Sequence, residues 1–339
     1  MNLTKQPELQ LGYLRLTDSA PALIARALGF FSSAGLSVTL RQEVSWANLR
    51  DKLTVGELQA ANLLVPLPAL VRLGASGIRT PLLTGLILSA NGNAITVRPP
   101  LAQPADDLRE PYGALSAAQR PLTFATVHHF STHMVLLRRW LRGAGLDPDR
   151  DVRTLIIPPS QMVDALAAGL IDGFCAGEPW NSLAAQQGVG TIAAYGQDIW
   201  PNAPEKALCV REDWHEAHPE THLRLRQALM RACRWLQDPG NRHEAVHLLA
   251  GTEALNLPEA VLAPALLATT EHKGAPAGSG LYHFEDGQAA AAWYEQAHAL
   301  VEACTELLSA GPDAAAMQQI LGATYRADLY TAARESLTF

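Results

Sequence analysis

Apolar positions along the first hundred residues switch repeatedly between a two-residue and a helical period. Residues 11–16 alternate, which predicts a strand, and Thr17-Asp18-Ser19 follows as a set of helix-capping residues. Residues 20–31 carry apolar side chains at helical spacing, and residues 35–40 predict a second strand. This β-α-β opening is the signature of a parallel sheet. Ser45-Trp46-Ala47-Asn48 starts a further helix that stops near Gly56. A strand is expected over 60–65 and a helix from Pro66 to Leu73. Two more strands, over 83–90 and 94–97, flank Asn91-Gly92-Asn93, where Asn-Gly predicts a tight turn.

Residues 98–120 are rich in proline, aspartate and alanine and read as a linker. The β-α pattern then resumes with a strand over 122–127, a long helix ending at Gly143 and strands over 153–157 and 191–195. Between these lies the stretch Gly169-Leu170-Ile171-Asp172-Gly173-Phe174-Cys175-Ala176-Gly177-Glu178-Pro179-Trp180. Gly169 reads as a helix stop, 171–175 as a buried strand, and Gly177 to Trp180 as the break at its carboxyl end. Ligands collect at such ends in open α/β sheets, so this stretch is expected to form one wall of a cleft. Residues 207–210 predict a strand leading out of this half. Beyond Trp214 the chain turns into alanine- and leucine-rich helices, with a glycine-rich loop over 271–280. The expected organisation is lobe 1 from 9–98 plus 213–339, a crossover over 99–121, and lobe 2 over 122–212.

Composition narrows the class. A chain of 339 residues suffices for two lobes, and 48% hydrophobic with 17% charged residues is the balance of a globular protein. The net charge of −7 offers no global field for nucleic acid, so no direct nucleic-acid partner is expected. Cys175, Cys209, Cys233 and Cys304 form no C-x-x-C pair, which argues for buried thiols and against a zinc or redox site. No phosphate loop, serine elbow or spaced metal-binding histidine pair appears, so neither an enzyme nor a cofactor or metal is expected. His128-His129 is adjacent and reads as a poor ligand pair. The first ten residues lack a secretory signal and no run is long enough to span a membrane, so the expected location is the cytoplasm, with no membrane contact.

The remaining candidates are isolated polar residues at strand ends and helix starts: Trp46, Asn93, His133 and Lys206. Their context carries a resemblance. The segments Ser45-Trp46-Ala47-Asn48-Leu49, Val65-Pro66-Leu67-Pro68, Asn91-Gly92-Asn93, Thr132-His133, Pro158-Pro159-Ser160-Gln161-Met162-Val163, Phe174-Cys175-Ala176-Gly177-Glu178-Pro179-Trp180 and Pro204-Glu205-Lys206-Ala207-Leu208 are similar to those of the NrtA/CmpA/NasS family of nitrate- and bicarbonate-type binding proteins. The match covers most of residues 10–215; the helical last third matches only loosely.

The resemblance implies an α/β, type II periplasmic-binding-protein fold, with two lobes, a ligand cleft between them and a helical C-terminal portion. It implies that Trp46, Asn93, His133 and Lys206 hold nitrate. Where relatives usually carry Asn-Gly-Gln, Asn93 is one methylene shorter. Lys206 would bring the positive charge, His133, Asn93 and Trp46 donors, and helix-start backbone near Pro159 and Gly177 further N–H groups. Ala176 would line the wall, and Glu178 would orient Lys206 or a backbone amide. The cytoplasmic, NasS-like branch implies a nitrate/nitrite sensor that holds a NasT-like RNA-binding antiterminator and releases it when the anion closes the lobes. The alternative is a periplasmic nitrate-binding component of an ABC transporter.

Overall fold

The computed structural model describes residues 8–75, 77–101, 121–251, 253–267, 281–285, 287, 290–308 and 311–337. Most of the expected crossover, the glycine-rich loop over 271–280 and both chain ends lie outside them.

Two sheets organise the chain. The first contains β1 (Leu9–Leu14), β2 (Val38–Glu43), β3 (Ala60–Leu64), β4 (Leu82–Asn91), β10 (Pro204–Arg211) and β11 (Tyr282–Phe284), in the order β11-β4-β10-β3-β1-β2. The second contains β5 (Asn93–Val97), β6 (Leu122–Thr126), β7 (Val152–Ile156), β8 (Gly173–Gly177) and β9 (Thr191–Tyr195), in the order β7-β6-β8-β5-β9. In each sheet three strands run parallel, β2-β1-β3 and β7-β6-β8, and an antiparallel strand follows. Most helices from Glu212 onwards pack on the first lobe, as in the long Pro219–Gln237 helix against Ala20–Ala27, while Glu259–Leu267 also meets Trp180–Gln186 and Ala290–Thr305 meets Thr132–Gly143 of the second.

Two strands sit in the other sheet from the one expected. β5 pairs with β8 and β9, so the second lobe begins at Asn93; β10 pairs with β3 and β4, so the first lobe resumes at Pro204. Asn91 and Gly92 do take the left-handed angles of an Asn-Gly turn (φ 65° and 79°). The strands on either side pair with different sheets, however, and the turn is a lobe crossover. Local turn chemistry fixes the bend but not which strands become partners.

The strand of the Gly169–Trp180 stretch is buried on both faces, the pattern of a central parallel strand. Phe174 and Ala176 join the large core that runs through the first lobe, while Cys175 packs with Ile95, Val97 and Phe124 on the opposite face. Gly169 ends the preceding turn at φ 69°, as expected of a C′ glycine. All four cysteines are buried and unbridged. No helix among the described residues is long and apolar enough to cross a membrane.

Gly92 is where the crossover is tightest. Its φ is left-handed, and a Cβ there would come within 1.8 Å of the Tyr282 ring. Gly92→Ala should therefore lower the unfolding free energy by roughly 2–4 kcal/mol, the left-handed penalty and the overpacking acting together. Urea denaturation checks this, and a midpoint within error of the parent would refute the tight crossover.

Candidate functional site

The segments after β1, β2 and β6 and the first residues of β5 and β10 bring six buried side chains together. Lys206 lies near the start of β10, opposite Leu64 on β3. Adjacent strand residues normally point to opposite faces, but the β10–β4 register is irregular from Pro204 to Ala207. Glu205 and Lys206 accordingly meet, with Nζ 2.5 Å from Glu205 Oε1. The ammonium also lies 2.8 Å from Asp18 Oδ2, contributed by the Thr17–Ser19 turn after β1. Its third neighbour is Trp46, whose ring centroid is 4.9 Å away. Trp46 opens the Trp46–Thr54 helix, and Ser45 fixes that start by accepting from Asn48 N.

The second lobe grips the same carboxylate. Asn93 Nδ2 donates to Glu205 Oε2 at 2.6 Å, and His133 Nδ1 lies 3.4 Å from Glu205 Oε1. Asn93 is held by pairing with Gly177 at the end of β8. His133 is the second residue of the Thr132–Gly143 helix, whose cap Ser131 accepts from Met134 N. Backbone and hydroxyl bonds tie the lobes beside the cluster, Thr17 N to Glu178 O at 2.9 Å and Thr132 Oγ1 to Pro204 O at 3.3 Å. Asp18, Trp46, His133, Glu205 and Lys206 are fully buried and Asn93 nearly so.

The electrostatics follow from that burial. Burial pushes the Lys206 ammonium down, but Asp18 and Glu205 outweigh it and hold the lysine above its ordinary value. Burial raises Asp18 to about 6, with Lys206 opposing. His133 is pushed down to about 4, chiefly by burial, and is neutral at pH 7. Burial pushes Glu205 up, but the attraction of His133 when that ring is charged, the Lys206 charge and the Lys206 and Asn93 hydrogen bonds outweigh it and hold the carboxyl below its ordinary value. Trp46 Nε1, Asn93 Oδ1 and both His133 ring nitrogens are buried without a hydrogen-bond partner. Such groups cost free energy unless something pairs with them, and here they cluster around a charge.

Of the expected wall residues, Gly177 touches this cluster. A Cβ on Gly177 would lie 3.3 Å from Asp18 Oδ2 and 3.5 Å from Asn93 Oδ1, so the smallest residue stands where strand and cluster touch. Ala176 is buried beside it, and its carbonyl accepts from Asn181 Nδ2. Pro159 is buried in the turn after β7. Glu178 accepts from Ser182 N through Oε2, capping its own helix and not Lys206. Burial raises its carboxyl to about 7, with the Ser182 bonds opposing.

All four candidate residues thus meet at one place, but two partners went unread. Asp18 stands among capping residues, and Glu205 adjoins Lys206 where alternation would turn it away. Glu178 was expected to orient Lys206 or a backbone amide; it takes the Ser182 amide, and Asp18 and Glu205 are the carboxylates that face the lysine. Asn93 also spends one amide N–H on Glu205. A cavity of about 650 Å³ opens outside the cluster, lined from both lobes by residues including Arg50, His128, His129, Met134 and Arg138. His128 spends Nδ1 on the Phe130 amide. No three histidine, cysteine or carboxylate residues among those described are placed to hold a metal ion.

The NMT1-like family model matches residues 3–250. The chain belongs to the NMT1-like family. It is similar to the bicarbonate-binding protein CmpA of Synechococcus elongatus, 32% identical over 272 residues, which cover 76% of this chain and 60% of CmpA. It is also similar to the nitrate import ATP-binding protein NrtC of Synechocystis, 39% identical over 269 residues covering 76% of this chain and 39% of that protein. The chain therefore spans about two fifths of the length of such ATP-binding relatives. In structure it superposes on the periplasmic nitrate-binding protein NrtA of Synechocystis, with a TM-score of 0.88 and 26% identity, over 98% of this chain and 89% of NrtA. Membership in this NMT1-like group agrees with the motif resemblance, and the two-lobed periplasmic-binding-protein fold is shown.

The ion cluster alters what a lysine substitution would do. Removing Lys206 strands two buried carboxylates, and breaking a buried pair in this way costs about 3–5 kcal/mol. Lys206→Met should lose that much stability at pH 8. Stranded carboxyls have folded pKa values above their unfolded ones, so their penalty grows as pH rises and fades below the unfolded values. The deficit against the parent should accordingly shrink towards pH 5. Denaturation at both pH values checks it; an equal deficit at both would contradict the charge assignment.

Proposed function

We propose that this protein binds nitrate or nitrite between its lobes, without a catalytic step. The observation that carries the reading is the convergence of Trp46 on Lys206 and of His133 and Asn93 on the Glu205 carboxylate bonded to that lysine, with Trp46 Nε1 and both His133 ring nitrogens still unpaired. Nitrate is planar and singly charged, and each of its oxygens accepts hydrogen bonds. Trp46 Nε1, a His133 nitrogen, the second Asn93 N–H and the Lys206 ammonium are the donors such an anion needs. The likeness to NrtA, a nitrate-binding protein by name, supports the same ligand class.

The finer reading is a cytoplasmic nitrate/nitrite sensor that controls a NasT-like RNA-binding antiterminator. It rests on the motif resemblance to the NasS branch. The ligand need only favour the closed lobes and the partner the open ones for binding to cause release. The second reading is the periplasmic nitrate-binding component of an ABC transporter, favoured by the import name that NrtC carries and by the likeness to periplasmic NrtA.

Calorimetry should show saturable nitrate binding, with chloride and sulfate competing poorly. Trp46→Phe keeps a ring against Lys206 but removes the N–H, and a lost hydrogen bond to a charged group predicts affinity about ten- to a hundredfold weaker. Unchanged affinity would remove Trp46 from the site. For the sensor reading, anion-free protein should retain an antiterminator on a column and release it into nitrate. A complex indifferent to nitrate would leave the importer reading.

A further inference from the structure

We infer that the anion enters this site together with a proton, taken from solvent by His133 and held there between the anion and Glu205. The inference rests on the nitrate reading above and concerns what else that site must bind.

The charge arrangement carries it. At pH 7, above the Asp18 value of about 6, the carboxylates of Asp18 and Glu205 flank one ammonium, so the fully buried group already carries about one negative charge. A bare anion would double that charge in a site shielded from water, where uncompensated charge is most costly. One proton restores the balance, and the geometry selects where it goes. Both His133 nitrogens lack hydrogen-bond partners, and Nδ1 is already aimed at Glu205 Oε1, 3.4 Å away. A neutral ring carries one N–H, so it can donate to the carboxylate or to an anion but not to both. The imidazolium donates to both at once, Nδ1–H to Glu205 and Nε2–H to the anion.

Other titratable groups around the ring do not replace it. Glu205 and Lys206 on β10 are the charges that act on His133 most strongly. Asp18, which burial raises to about 6, is the nearest rival acceptor, but a proton there would weaken its 2.8 Å ion pair with Lys206. Glu178, at the end of β8, is committed to the Ser182 amide. Tyr282 on β11 and Cys175 on β8 are buried and held neutral. Only His133 combines neutrality in the empty site with two unpaired ring atoms.

Nitrate itself does not titrate near neutrality, so any pH dependence belongs to the protein. Calorimetric titration of the whole protein with sodium nitrate, in buffers of different ionisation heat at pH 7, should show uptake of about one proton per anion. Affinity should fall about tenfold per pH unit across the neutral range, because the empty ring is neutral there and the occupied ring is charged. With ¹⁵N-labelled histidine, one ring should change from the neutral to the imidazolium signature on adding nitrate, and His133→Gln should lack that signal. Nitrate binding with no proton uptake and no pH dependence would overturn this inference alone. Proton uptake with the His133 ring still neutral would place the proton on a carboxylate and overturn it as well. Absence of nitrate binding at every pH would overturn the nitrate reading and this inference with it.

Discussion

A buried lysine between two buried carboxylates is the interaction on which the arrangement depends. Lys206 and Glu205 leave one strand of the first lobe, Asp18 leaves the turn after β1, and Asn93 and His133 reach Glu205 from the second lobe. The attraction is strong because water is excluded, and for the same reason any unpaired member is expensive. The cluster therefore does two jobs. It ties the lobes across the cleft, and it keeps the net charge of the site low while leaving donors on Trp46 and His133 unspent.

Topology explains why these residues meet. The parallel strands of each sheet direct their carboxyl ends to the cleft, and the turns after them supply Asp18, Trp46 and Glu178. Two antiparallel strands, β5 and β10, begin at that same edge because each enters its sheet from a lobe crossover. Asn93 and Lys206 stand in the cluster for that reason. Gly92 and Gly177 give the space, one at the crossover and one where β8 touches Asp18 and Asn93.

Much of this was legible in the chain. The period of apolar positions marks most strands and helices before Trp214, and the Gly169–Trp180 stretch reads as a glycine stop, a strand and a break, although the strand runs Gly173–Gly177, two residues later than expected. Motif resemblance named Trp46, Asn93, His133 and Lys206, which the fold brings together. Partner choice was not legible. Asn91-Gly92 looks like a hairpin because its angles are local, while pairing is decided by the lobes, and so β5 and β10 were assigned to the wrong sides. Glu205 was missed because alternation predicts that it points away from Lys206, whereas β10 is irregular against β4 at this point and the two side chains meet. Asp18 resembles a helix cap, and nothing in its neighbours announces a lysine 188 positions on. The Gly169–Trp180 stretch contributes Gly177, which stands against Asp18 and Asn93, and Glu178, which accepts from the Ser182 amide.

The central claim is that this interlobe cluster is an oxyanion site. A crystal structure of the protein grown with nitrate tests it most directly. The account predicts a planar anion within hydrogen-bond distance of Trp46 Nε1, His133 Nε2 and Lys206 Nζ, with Glu205 still bridging Asn93 and His133. Nitrate lodged elsewhere, with Lys206 bonded only to Asp18 and Glu205, would contradict it.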